Sequence, residues 1–218
     1  MRIRKRLIAI AVSGGIGGLL LVPFALRTRP DLGPLEVWLS LPIGSFLVTA
    51  LCAWGGLHLA DRANLPMPFL RPWETGVAGD TSQRAWMLRV SVAAGGIFGL
   101  AAGTATHWLQ APAPATSWPV RMATIPFAAV VPETVVHLLV MSALVVALKR
   151  TWIPIVLSSL VYVVLFHGQW FGGTSPADFI WVINFALGML TGWVYSRHGI
   201  ESAFLTHAVA HAFILSLR

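Results

Sequence analysis

Seven apolar stretches, at about 7–26, 37–60, 86–106, 122–148, 152–168, 177–195 and 199–217, follow one another along the chain with short polar joints between them. An apolar run of about 20 residues is what a helix needs to cross the hydrocarbon core of a bilayer. Charged residues make up 11% of the chain, whereas a soluble surface needs roughly a quarter. The sequence therefore predicts an all-α fold, a polytopic transmembrane helical bundle of about seven spans embedded in the lipid bilayer. The joints are too short to hold a separate soluble domain.

Charge placement gives an orientation. With the N-terminus inside, the inner joints carry Arg2, Arg4, Lys5, Arg6, Arg62, Arg71, Arg84, Lys149, Arg150 and Arg197, and the outer ones only Arg27, Arg29, Arg121 and Arg218. Arg89 is left to snorkel from the third span. This excess of cations on one side is the positive-inside pattern and predicts a cytoplasmic N-terminus with an odd number of crossings. The net charge of +7 is then explained by topogenesis and anionic headgroups rather than by nucleic acid, because the basic residues sit singly or in short clusters beside apolar runs. The first run is too long for a signal-peptide core, and Phe24-Ala-Leu-Arg27 is a poor cleavage site, so it reads as an uncleaved helix. Cys52 is the single cysteine, which excludes an intramolecular disulfide framework and a CxxC metal motif.

Gly14/Gly18 and Gly95/Gly99/Gly103 have the spacing that lets helix backbones approach closely in lipid. The joint from Asp61 to Arg84, punctuated by Pro66, Pro68 and Pro72, reads as a connector at the inner surface, with Met67, Phe69 and Leu70 dipping into the interface. Trp108 and Trp118 suit the opposite membrane–water boundary. Pro126 and Pro132 interrupt the hydrogen-bond ladder of the fourth segment, which predicts a bent or re-entrant piece before a regular helix through Leu148.

Glu133, just after that break, is the one acidic residue deep inside a span. A charge at mid-bilayer costs about 2.5–3.5 kcal/mol on insertion scales, so its presence calls for partners, a wet cavity or a function. His137 lies four residues on, which on an α-helix is the same face. His207 and His211 repeat that spacing in the last span, and His167 ends the fifth. Each histidine alone is accounted for by an interhelical hydrogen bond; four of them with a carboxylate make a candidate site. Asn184 in the sixth span reads as a helix–helix contact. Three chemistries fit these groups. The carboxylate can act as general base on a water while histidines stabilise a tetrahedral oxyanion, as peptide hydrolysis requires. The same side chains can ligate zinc, and histidines on separate helices can bind haem or carry protons.

These residues resemble the CPBP intramembrane proteases, related to the CAAX prenyl endopeptidases, whose pattern is Glu-Glu-x-x-x-Arg, then Phe-x-x-x-His, then His-x-x-x-Asn. The similarity runs over about residues 122–217. It is strongest in Gly192-Trp-Val-Tyr-Ser-Arg-His-Gly-Ile-Glu-Ser-Ala-Phe-Leu-Thr-His-Ala-Val-Ala-His211. His167 and His207 match the pattern outright, His211 stands where Asn is usual, and Val163 occupies the Phe position. If Glu133 is the second glutamate of the pair, His137 replaces the arginine; if it is the first, Thr134 and Leu138 replace the others.

The resemblance implies an N-terminal transmembrane region over 1–121, with three spans, and a CPBP-like catalytic transmembrane core over 122–218. It also implies an endopeptidase acting on peptide or membrane-protein substrates, with Glu133 and His167 activating water, His207 and His211 polarising the scissile carbonyl, and His137 orienting Glu133. That glutamate mechanism requires no cofactor. An older description of the family as metalloproteases adds zinc, for which Glu133, His167, His207 and His211 are the candidate ligands. The alternative reading is a catalytically impaired CPBP-like membrane scaffold or chaperone that keeps the polar cluster for packing and partner binding.

Overall fold

A computed structural model of the chain describes residues 3–29, 31–77, 79–108, 116–167 and 179–217, and for His167 the backbone alone. Among the described residues every regular element is helical. In chain order these are α1 (Arg4–Thr28), α2 (Pro34–Arg62), α3 (Leu70–Thr75), α4 (Thr81–Trp108), α5 (Trp118–Met122), α6 (Ile125–Glu133), a π-helical segment (Thr134–Met141), α7 (Ser142–Leu148), α8 (Trp152–His167), α9 (Phe179–His198) and α10 (Ile200–Ser216). Helices α1, α2, α4 and α9, and the continuous unit Trp118–Leu148, are long and apolar enough to cross a membrane; Trp152–Phe166 and Ile200–Ser216 are shorter apolar helices. The polytopic bundle of about seven spans is thus the architecture. The far end of the fifth expected span and the start of the sixth fall outside the described residues.

Proline marks helix starts. Pro34 and Pro119 sit in the first turns of α2 and α5, where a missing N–H removes no intrahelical bond. Pro126 does the same for α6, so it begins a helix rather than breaking one. Pro132 does lie inside α6. Instead of a re-entrant piece, the chain runs on helically through it, and the widened π turn follows two residues later. Loss of the i to i−4 bond at Pro132 has already loosened the ladder at that point.

The glycines expected to bring backbones together do so. A Cβ on Gly18 of α1 would lie 2.5 Å from the Leu41 carbonyl oxygen of α2, and Cβ atoms on Gly95 and Gly99 of α4 would lie 2.5 Å and 2.6 Å from the carbonyl oxygens of Thr206 and Ala210 on α10. Helix α4 is therefore packed directly on the helix that carries His207 and His211.

The connector after α2 is held from both sides. Arg6, at 2% exposure, donates from Nη2 to Asp61 Oδ2 at 2.7 Å and from Nε to Glu74 Oε2 at 2.7 Å, while Arg71 Nη2 reaches Asp61 Oδ1 at 2.8 Å. From α10, Glu201 Oε1 accepts the backbone N–H groups of Phe69 and Leu70 at 3.2 Å and 2.9 Å. Met67, expected to dip into the membrane interface, is buried in the protein core with Leu57, Leu65, Tyr195 and Ile200, and Leu70 packs against that core.

Candidate active site

Glu133 closes α6 and His137 lies within the π segment. The wider turn keeps them on one face: His137 Nδ1 lies 2.5 Å from Glu133 Oε2. His207 of α10 reaches the other oxygen, with Nδ1 2.6 Å from Glu133 Oε1. All three side chains are at most 1% exposed. Each carboxylate oxygen thus accepts one imidazole N–H, and hydrogen bonds to an ionised acceptor are the stronger kind.

With the carboxylate ionised and each imidazole neutral, the proton of each ring sits on Nδ1, and Nε2 carries the lone pair. Both Nε2 atoms are buried and have no hydrogen-bond partner among the described residues. A buried polar atom left unpaired costs about 1–3 kcal/mol, so these two atoms are the natural places for a water or a substrate group.

The surroundings fix the rings. His137 faces Tyr195 edge-on at 6.5 Å between centroids, and the Tyr195 hydroxyl is 2.7 Å from Ser142 Oγ. Gly192 leaves the space beside His137: a Cβ there would lie 3.1 Å from its Nε2. Tyr162 of α8 stands edge-on to His207 at 5.9 Å, and the His211 ring is 4.7 Å from that of His207. At the start of α10, Gly199 adopts φ 95°, which only glycine tolerates readily. A side chain there would also strike the Pro66 carbonyl. Ser202 meets Ser91 of α4 at 2.5 Å between hydroxyl oxygens.

Of the residues singled out in the sequence, Glu133, His137 and His207 come together, and His211 lies against His207. His167 ends α8, and its side chain lies outside the described residues. Asn184, buried within the bundle, donates to the Ile180 carbonyl of its own helix at 2.9 Å. Sequence reasoning did not find the π segment or the Ser142–Tyr195 pair; a hydroxyl on each of two apolar helices was the only signal. Among the described residues no three His, Cys, Asp or Glu side chains are arranged to hold a metal ion. Both Glu133 oxygens are occupied by imidazole donors, so the described residues do not fit a zinc centre.

No curated protein and no solved structure matches the chain. Its residues 114–213, which hold Glu133, His137, His207 and His211, match the type II CAAX prenyl endopeptidase Rce1-like family model.

Proposed function

We propose that the protein is an intramembrane endopeptidase that hydrolyses peptide bonds with a water activated by Glu133 and its histidines. The observation that carries this reading is the buried carboxylate shared between the Nδ1 atoms of His137 and His207, with both Nε2 atoms unpartnered among the described residues. A carboxylate holding one imidazole nitrogen protonated makes the other nitrogen a better oriented base and stabilises the imidazolium formed when it takes a proton.

In the proposed reaction a water hydrogen-bonded at His207 Nε2 gives up a proton to that nitrogen as its oxygen bonds to the scissile carbonyl carbon. The carbonyl electrons move onto oxygen, and His211, against the His207 ring, serves as the hydrogen-bond donor that polarises this oxyanion. Collapse re-forms the carbonyl, breaks the C–N bond and returns the proton from His207 to the leaving amine. His137 holds the second oxygen of Glu133 and keeps the carboxylate aimed. His167 acts as a further water-activating group, as the pattern the sequence resembles implies.

A membrane-borne substrate fits the flank of the site. A cavity of about 320 Å³ between α2, α6 and the end of α8 is lined by Ser45, Val48, Phe127, Val131, Val135 and Phe166, beside the turn that presents Glu133. The family name points to prenylated C-terminal peptides as the first substrates to test. The test is cleavage of such a peptide by the purified protein in detergent or bilayer, with loss of cleavage in Glu133→Gln and in His207→Ala while both variants remain folded.

The scaffold reading draws on one feature, the near-complete burial of Glu133, His137 and His207, which also suits a closed packing cluster. Absence of hydrolysis by the native protein, together with loss of partner binding in His207→Ala, would favour it.

A further inference from the structure

A second site lies away from the carboxylate cluster, where α2 and α7 end. A cavity of about 360 Å³ there is lined by Arg62, Lys149 and Arg150 around Ala63, Val145 and Val146. The three cations are exposed and Val145 is buried, so the cavity has a positively charged mouth and an apolar floor. Lys149 takes φ 52°, which turns the chain at the end of α7 and sets Lys149 and Arg150 side by side at the rim.

Some cations of the chain are already neutralised. Arg6, Arg29 and Arg71 are each within 3 Å of a carboxylate oxygen. Among the described residues, Arg62, Lys149 and Arg150 have no carboxylate within ion-pair reach; Asp61, next to Arg62 in sequence, is directed at Arg6 and Arg71. Unneutralised charge at the two ends of apolar spans sits at headgroup depth, where each Lys or Arg attracts anionic lipid by about 1 kcal/mol. Trp152, 63% exposed two residues after the basic pair, is the side chain that favours that same layer.

We infer that this cavity binds the phosphodiester headgroup of an anionic glycerophospholipid, with the three cations holding the phosphate and the apolar floor receiving the glycerol and first acyl carbons. The headgroup ties the end of α2 to the turn between α7 and α8, and so acts as a lipid brace on the bundle.

The test uses the purified full-length chain in a neutral detergent, titrated with phosphatidylglycerol or phosphatidylcholine, with bound lipid counted by native mass spectrometry. Phosphatidylglycerol is expected to bind at least tenfold more tightly. Arg62→Gln/Lys149→Gln/Arg150→Gln should remove that preference, whereas Arg62→Lys/Lys149→Arg/Arg150→Lys and the remote pair Arg4→Gln/Arg197→Gln should keep it. Lys149→Gln alone, a milder change at an exposed helix end, should weaken binding at least twofold. Retained preference in the triple glutamine variant, equal binding of the two lipids, or equal loss in the remote pair would overturn the proposal. Displacement of the lipid by an equal concentration of inorganic phosphate would assign the site to free phosphate and also overturn it.

Discussion

His207 Nδ1 lies 2.6 Å from Glu133 Oε1 although 74 positions of chain separate them. That bond joins the last helix to the end of α6, and it makes the carboxylate a shared acceptor rather than a partner of its own helix alone. For the proposed chemistry, removing charge from this acceptor is the most damaging isosteric change available. Glu133→Gln keeps one acceptor oxygen but turns an NH₂ group toward one imidazole N–H, so one ring must change tautomer or rotate. Cleavage is expected to fall by about 10²–10⁴-fold, the range attributed to one general acid–base group. A folded variant that cleaves at the wild-type rate would remove Glu133 from the mechanism.

The glycine beside His137 offers a change that touches no polar atom. A Cβ at position 192 would sit 3.1 Å from His137 Nε2 and 3.3 Å from Ile155 Cγ2, so Gly192→Val must push the ring or the helix aside. Overpacking of this kind costs about 1–3 kcal/mol. Cleavage is expected to drop more than thermal stability does, because the ring that moves is the one that aims Glu133. Equal activity in Gly192→Val and the native protein would show that the fit of Gly192 against His137 is not needed for the reaction.

Much of the bundle is readable in sequence because lipid imposes a simple length rule and because close helix contacts demand small residues at fixed spacing. Gly95 and Gly99 are legible for that reason: only hydrogen fits against the carbonyls of Thr206 and Ala210. Glu133 and His137 are legible as a local pair. The π segment is not, since a widened turn has no residue signature beyond the proline before it. Nor is the network of Arg6 with Asp61 and Glu74, or the Glu201 clasp on Phe69 and Leu70, because these join groups 55 to 132 positions apart with no shared period.

The contact between α4 and α10 is expected to support the site from behind. Gly99→Leu places a branched side chain where a Cβ alone would already lie 2.6 Å from the Ala210 carbonyl and 2.8 Å from Phe213 Cβ. The helices must separate, at a cost of about 1–3 kcal/mol or more, and α10 carries His207 with it. A lower unfolding midpoint together with reduced cleavage is the expected result. Gly96→Ala, where the nearest atom of a neighbouring helix is 3.6 Å away, should leave both unchanged and serves as the matched control.

Arg6 holds two carboxylates at once, and its removal separates buried charge from its counter-charge. Breaking a buried ion pair by deleting one partner costs about 3–5 kcal/mol. The lower end applies here, because the Asp61 side chain is 36% exposed and keeps Arg71 as a partner. Glu74, at 8% side-chain exposure, has no second cation among the described ion pairs and bears most of the penalty. Arg6→Met is therefore expected to destabilise by about 3 kcal/mol, and Arg6→Met/Glu74→Gln should recover part of that loss by removing the stranded carboxylate. Unfolding midpoints of the native chain, the two single variants and the double variant close the cycle. Strictly additive losses would mean that Arg6 and Glu74 do not stabilise one another.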